Sequence, residues 1–297
     1  MPTPQKSKKT AKKPAGKSAK NALAAKADRY ELYGLSVQSS GHEISFFEKI
    51  YQHHFGRSPL VLREDFCGTH AVAAAWVKSD PKRVAVGVDL DPEPVWWGRE
   101  HNQLTDEEAD RLTLTRGNVL STPTQKAEIL AAENFSYCIF KTREALRAYF
   151  KAARKNLAKN GLFVMDLMGG GDCHFEDQED TRAIRYPADG QLNAGRKDKL
   201  KRFTYVWRQE EFNPITHDAL FHIHFRFPDG SEMKNAFTYD WRLWTVPEIR
   251  ELLLEAGFKQ VDVWWDTEVA DEDNNPVYAP ATDGIPHAAW LCYVVAR

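Results

Sequence analysis

At 297 residues, 42% hydrophobic and 12% aromatic, the chain can form one large domain or two small ones around a substantial core. Its net charge of −2 hides an asymmetry: residues 1–29 hold nine basic side chains against Asp28 alone, so residues 30–297 carry 31 basic and 41 acidic groups, which excludes a globally basic nucleic-acid surface on that part. No apolar run approaches the roughly 18–20 residues of a membrane span, no secretory segment opens the chain, and Cys67, Cys138, Cys173 and Cys292, scattered without metal-like spacing, read as reduced thiols of a cytoplasmic protein.

Residues 1–27 are Lys, Ala, Ser, Pro and Thr with almost nothing to bury, and composition predicts a disordered tail. It is either a solvated tail or an electrostatic arm, the one place where nucleic acid is a candidate partner. Order is expected from Asp28, with Tyr30, Leu32, Tyr33 and Leu35 at loosely helical spacing. A second helix follows over 43–55, striped by Ile44, Phe46, Phe47, Ile50, Tyr51 and Phe55. Leu60–Leu62 is a short buried strand ending in Arg63, Glu64 and Asp65; then come a tight Phe-Cys-Gly-Thr and an Ala-rich helix over 70–78. Val84–Val88 is the next strand and residues 92–102 a helix with Pro in its first turn. Strands over 112–119 and 127–135, a helix from the Thr142 cap to Lys159, and a strand over 162–167 continue the alternation. This rhythm predicts a doubly wound, mostly parallel α/β sheet.

The rhythm then breaks. Residues 172–200 read as an irregular loop, and 201–212, 220–227 and 232–239 as an antiparallel meander, so 172–240 is an insert. Its middle strand alternates Phe221, Ile223, Phe225 and Phe227 with His222, His224 and Arg226. A capping box, Thr245 to Glu248, starts a helix that Gly257 ends. Strands over 259–265 and 288–296 close the chain, with a polar loop over 271–286 between them.

The opening strand–turn–helix suits a nucleoside. Gly68 lets a ligand approach backbone N–H groups at a helix N-terminus. Asp89, 21 residues past Gly68 at the end of the second strand, is placed to meet ribose hydroxyls. Phe-Cys-Gly-Thr-His-Ala does not supply the G-x-G-x-x-G of a nicotinamide-binding Rossmann domain.

In the order of its elements, in Arg-Glu-Asp-Phe-Cys-Gly-Thr, in Gly87-Val88-Asp89 and in the later Phe-Thr-Tyr-Asp-Trp-Arg-Leu-Trp, the chain resembles the class I S-adenosylmethionine-dependent methyltransferases, in particular a little-characterised bacterial branch. The resemblance spans residues 28–297. It implies a Rossmann-like seven-stranded sheet with the last strand antiparallel, carrying the inserted meander, and S-adenosyl-L-methionine as cofactor. Glu64 matches the acid of the family's first motif and Gly68 its middle glycine, while Phe66 and His70 stand where the outer glycines usually are. By resemblance Glu64, Gly68 and Thr69 surround the cofactor's amino-acid end, Asp89 takes the ribose, Asn118 the adenine, Asn134 and Phe135 line the cleft near the methyl group, and Tyr33, with Tyr30, forms a lid. Competing readings are helix-terminus electrostatics for Glu64 and Asp65 and a turn for Asn118. Asn134-Phe-Ser-Tyr137 lacks both prolines of the amino-directed nucleic-acid motif.

The expected activity is methyl transfer to a small-molecule amine or hydroxyl by in-line displacement. His222 and His224 are candidate catalytic groups on the floor of the acceptor site, with a solvent-facing polar sheet surface as the competing reading. The rival functions are a nucleic-acid or protein methyltransferase that uses the basic tail, and a non-catalytic Rossmann-like binding module.

Overall fold

The computed structural model describes residues 22–272 and 274–297; most of the Lys-rich tail lies outside them. Two helices precede the first strand. Helix α1 (Arg29–Ser36) starts at Asp28, whose carboxylate accepts the N–H groups of Tyr30 and Glu31. Helix α2 (Ser40–Phe55) begins three residues earlier than the apolar stripe suggests, which places Glu43 in its first turn.

The main sheet contains β1 (Val61–Asp65), β2 (Val84–Asp89), β3 (Leu112–Arg116), β4 (Ala127–Ala132), β5 (Leu157–Gly169), β10 (Val261–Ala270), β11 (Pro276–Ala281) and β12 (Trp290–Ala296). A second sheet, β6 (Gln178–Arg185), β7 (Arg202–Phe212), β8 (Asp218–Arg226) and β9 (Glu232–Arg242), is antiparallel throughout. Strand order in the main sheet is β11-β10-β12-β5-β4-β1-β2-β3. Strands β1 to β5 are mutually parallel where they pair, and β12 runs antiparallel between β5 and β10. The expected seven strands are present; β11 makes an eighth at the edge.

The helix read to Lys159 ends at Asn156, and β5 already begins at Leu157. Strands β3 and β4 stop at Arg116 and Ala132, short of 119 and 135. Two further strands lie where the sequence reading has loops. Strand β11 lies within the supposed polar loop, where two prolines in Pro-Val-Tyr-Ala-Pro-Ala argue against a central strand. They are tolerated because β11 has only β10 as neighbour. Strand β6 lies within the supposed irregular loop. Only Ile184 in Gln-Glu-Asp-Thr-Arg-Ala-Ile-Arg is even partly covered, so no alternation marks it, and its backbone pairing to β7 decides its structure.

Helices α3 (Ala71–Ser79), α4 (Pro92–His101), α5 (Asp106–Ala109), α6 (Arg143–Asn156) and α7 (Val246–Glu255) complete the fold. One sheet face packs on α6, α7 and the Trp241 end of the meander. The other packs on α2 and α3 through Phe46, Phe47, Ile50 and Trp76. A third cluster joins Leu32 of α1 to Phe203, Tyr205 and Phe225 of the meander. Trp97 of α4 donates its indole N–H to Asp28 (2.7 Å), and Tyr186 contacts Glu31 of α1 at 2.7 Å. So α1 is held between α4 and the meander, above the point where strand order reverses between β1 and β4, the usual ligand position in such sheets.

Candidate active site

Two cavities open there. The first, of about 510 Å³, lies beyond the C-terminal ends of β1, β2 and β4; the second, of about 470 Å³, lies between β5 and the meander. Tyr33, Glu133, Asn134 and Tyr239 line both, so they form a common wall.

The floor of the first cavity is the β1–α3 turn. Phe66 (φ 56°), Gly68 (φ 49°) and His70 (φ 47°) all adopt the left-handed backbone. Glycine does this without strain, whereas a residue with a Cβ loses about 1–2 kcal/mol. The turn thus keeps the conformation of an alternating-glycine loop at three positions with one glycine. Phe66 is anchored edge-on against Tyr149 at 5.4 Å. His70 is wholly buried, which pushes its imidazole down to about 4. A Cβ on Gly68 would find no atom within 4 Å, so the cavity reaches bare backbone there.

The acidic residues around this turn divide by partner. Asp65 is committed to a buried ion pair with Arg63 (2.7 Å) and to the Tyr149 hydroxyl (3.0 Å). Glu64 accepts the N–H of Ala73 in the first turn of α3 (2.8 Å); burial pushes its carboxyl up to about 8. Asp89 accepts the N–H groups of Gly68 (2.7 Å) and Asp91 (2.8 Å), and burial raises its carboxyl above the usual range. Thr69 and Gln38 meet at 3.4 Å on the rim, and Arg29 and Tyr30 enter from α1.

After β4 the chain bends sharply through Asn134 and Phe135, both at φ 56°. Two consecutive left-handed residues are held because Asp166 of β5 accepts both their N–H groups, at 2.8 and 2.9 Å. Burial pushes the Asp166 carboxyl up to about 7 and that of Glu133 well above its ordinary value. Glu43 of α2, facing the second cavity, is likewise raised by burial to about 7. Tyr205, Trp207, Tyr239 and Trp241 form the aromatic wall opposite.

The structure brings Tyr33, Glu64, Gly68, Thr69, Asp89 and Asn134 to the first cavity, and Tyr33, Asn134 and Phe135 to the second. It does not bring Asn118 or the two histidines to either. Asn118 is exposed and closes a turn, its Oδ1 accepting the Leu120 N–H (2.9 Å), so the turn reading holds. His222 contacts Thr238 (2.9 Å) and Glu210 (2.9 Å), and His224 accepts the Asn235 N–H (2.8 Å). Both stand on the sheet face turned away from the cavities. The expected catalytic role for His222 and His224 is therefore corrected: it is the alternate face, carrying Ile223, that lines the second cavity. Glu43, Glu133 and Asp166, which line the second cavity, are not singled out by the sequence pattern. The available signal was Asp166, the one charge in Leu162–Leu167.

No family model and no curated protein sequence matches the chain. Solved structures do. CalS10 from Micromonospora echinaspora, described as a SAM-bound amino pentose methyltransferase, is 13% identical over 91% of this chain and 98% of its own, with a TM-score of 0.63. The sugar N-methyltransferase KedS8 from a Streptoalloteichus species is 14% identical over 97% and 100%, with a TM-score of 0.61. A S-adenosylmethionine-dependent methyltransferase from Clostridium acetobutylicum is 13% identical over 90% and 96%, with a TM-score of 0.59. The chain shares the fold of these methyltransferases.

Proposed function

We propose that the chain transfers a methyl group from S-adenosyl-L-methionine to an amine of a small molecule. The carrying observation is the pair of adjoining cavities with a common wall, one suited to a nucleoside and one to an acceptor. A cavity of about 510 Å³ falls in the size range of cofactor sites. Asp89 would hold the ribose, the open backbone at Gly68 would admit the amino-acid end, and Thr69 would close its rim. When bound, the cofactor supplies a methyl group on a positively charged sulfur.

The chain's own residues would align and shield the reaction. Tyr33 and Tyr239 sit together on the common wall beside Asn134. There they would fix the nucleophile's approach and exclude water. The second cavity is lined by four carboxyl groups, Glu43, Glu133, Asp166 and Asp180, against one guanidinium, Arg182, and by aromatic faces, a balance that favours a cationic amine over a neutral hydroxyl. The meander that walls this cavity leaves room for a small acceptor, and the methyltransferases named above for amino-sugar and sugar nitrogen chemistry fit that reading. The basic tail, on which a nucleic-acid target would depend, falls mostly outside the described residues.

Calorimetric titration with S-adenosylmethionine tests this reading directly. Wild-type protein should bind, and Asp89→Ala should weaken binding about 10- to 100-fold, the usual worth of a charge-assisted hydrogen bond. Absence of binding by folded wild-type protein would leave a non-catalytic module as the better account.

A further inference from the structure

We propose that Glu133, on the wall between the two cavities, takes the proton that an ammonium acceptor loses before its nitrogen attacks the methyl group, with Glu43 and Asp166 holding the acceptor's positive charge. The inference rests on the methyltransferase reading above and assigns the proton within it. A protonated amine has no lone pair to offer, so transfer needs a group within reach that removes one proton.

Position carries the assignment. Glu133 directly follows β4, is 7% exposed, and lines both cavities. Among the described residues neither its buried Oε1 nor Oε2 of Glu43, which lines the second cavity, has a hydrogen-bond partner. A buried carboxylate oxygen left unpaired costs about 1–3 kcal/mol or more, so these atoms await a donor that the folded chain does not provide. Asp166 is different: the N–H groups of Asn134 and Phe135 already occupy both its oxygens, which suits it to steady a charge and not to accept a proton.

Acids near Glu133 come from several elements, Asp166 on β5, Glu43 on α2 and Glu64 on β1, while Asp89 of β2, Asp91, Arg29 of α1, His42 of α2, and Asp180 and Arg182 of β6 also line the two cavities that it borders. The hydroxyls near it belong to Tyr33, Tyr239 and Tyr293. Burial and these like charges raise the Glu133 carboxyl well above its ordinary range. A cation on the common wall opposes that shift and favours the ionised carboxylate, releasing to solvent any proton it displaces. The ionised carboxylate then accepts one proton from the ammonium. The freed nitrogen pair forms the N–C bond as the C–S bond breaks, and that bond's electrons stay on sulfur. Charge balances: the sulfonium becomes a neutral thioether, the amine a methylated ammonium, and Glu133 a neutral acid.

Sinefungin and S-adenosylhomocysteine separate the possibilities, since the first carries an amine where the cofactor carries its methyl and the second carries nothing there. Both would be titrated at pH 7.5 in phosphate and in Tris, whose heats of ionisation differ. Wild-type protein should bind sinefungin at least about tenfold more tightly and release protons with it that S-adenosylhomocysteine does not displace. Glu133→Gln should erase both differences while still binding S-adenosylhomocysteine, and Glu133→Asp should restore part of them. Equal affinities without extra proton release in wild type, or an advantage that survives Glu133→Gln, would overturn the assignment alone. Failure of wild-type protein to bind either nucleoside would overturn the methyltransferase reading and this inference with it.

Discussion

Glu64 and Asp65 are adjacent, buried and acidic, yet their partners give them opposite energetics. Asp65 neutralises Arg63, whose guanidinium is wholly buried and also reaches Thr122 O and Thr124 Oγ1. Asp65→Asn strands that charge and should cost about 3–5 kcal/mol. Glu64→Gln keeps an oxygen for the Ala73 N–H and removes a carboxyl that burial holds near 8, so it should cost under about 1 kcal/mol at pH 7.5. Urea unfolding of the two variants compares them, and equal losses would contradict this division. The sequence shows both acids but not which of them Arg63 meets. Asp89 is legible because strand-tip position and spacing from Gly68 suffice to place it. His222 and His224 were misread for a geometric reason: alternation says which side chains share a sheet face, but not which face turns inward. Aromatic residues on β7 and β9 decide that, and only the pairing of three strands assembles them.

At the scale of elements, the β1–α3 turn is shaped by the helix lying on it. Gly98 sits inside α4, where glycine costs about 0.5–1 kcal/mol relative to alanine. A Cβ there would fall 2.2 Å from Thr69 O and 2.5 Å from His70 Cε1. The glycine therefore lets α4 settle onto the turn at Thr69 and His70 and hold His70 in its left-handed conformation. Gly98→Ala should push α4 away, destabilise the fold by about 1–3 kcal/mol despite its better helix propensity, and weaken S-adenosylmethionine binding as the turn relaxes. Chemical denaturation and calorimetry would read the two effects, and a stabilised variant would show that α4 does not support the turn. The five parallel strands are legible in position because apolar residues recur in each, whereas the short helix α5 is not, and the switch from α6 to β5 at Leu157 falls inside a stretch whose spacing reads as helix. Strands β6 and β11 are not legible either, since each is an edge strand: one carries no alternation and the other two prolines, and hydrogen bonds to a single neighbour define both.

For the whole molecule, the junction of two sheets gathers acidic groups into a buried space, and this sets how stability varies with pH. Burial pushes Glu43 and Asp166 up to about 7 and Glu64 up to about 8, against about 4 in an unfolded chain. Between pH 4 and 8 the folded state therefore holds more protons than the unfolded one, and these groups contribute stability at low pH that is lost as pH rises through their folded values. Buried histidines act oppositely. His70, lowered to about 4, with His42, His54 and His224 also lowered, makes stability rise with pH only up to about 6.5. Above that the carboxyl groups dominate, joined toward pH 8.5 by the four cysteine thiols, which burial also raises and which act in the same direction. The melting temperature of the ligand-free protein should then fall between pH 6.5 and 8.5, by on the order of 5 to 10 °C. A bound sulfonium favours the ionised carboxylates, so stabilisation by saturating S-adenosylmethionine should be larger at pH 8.5 than at 6.5. Thermal melts at both pH values, with and without the cofactor, measure both slopes. A flat or rising ligand-free profile would mean that these carboxyl groups ionise freely in the folded protein, and a cofactor effect independent of pH would mean that the sulfonium lies away from them.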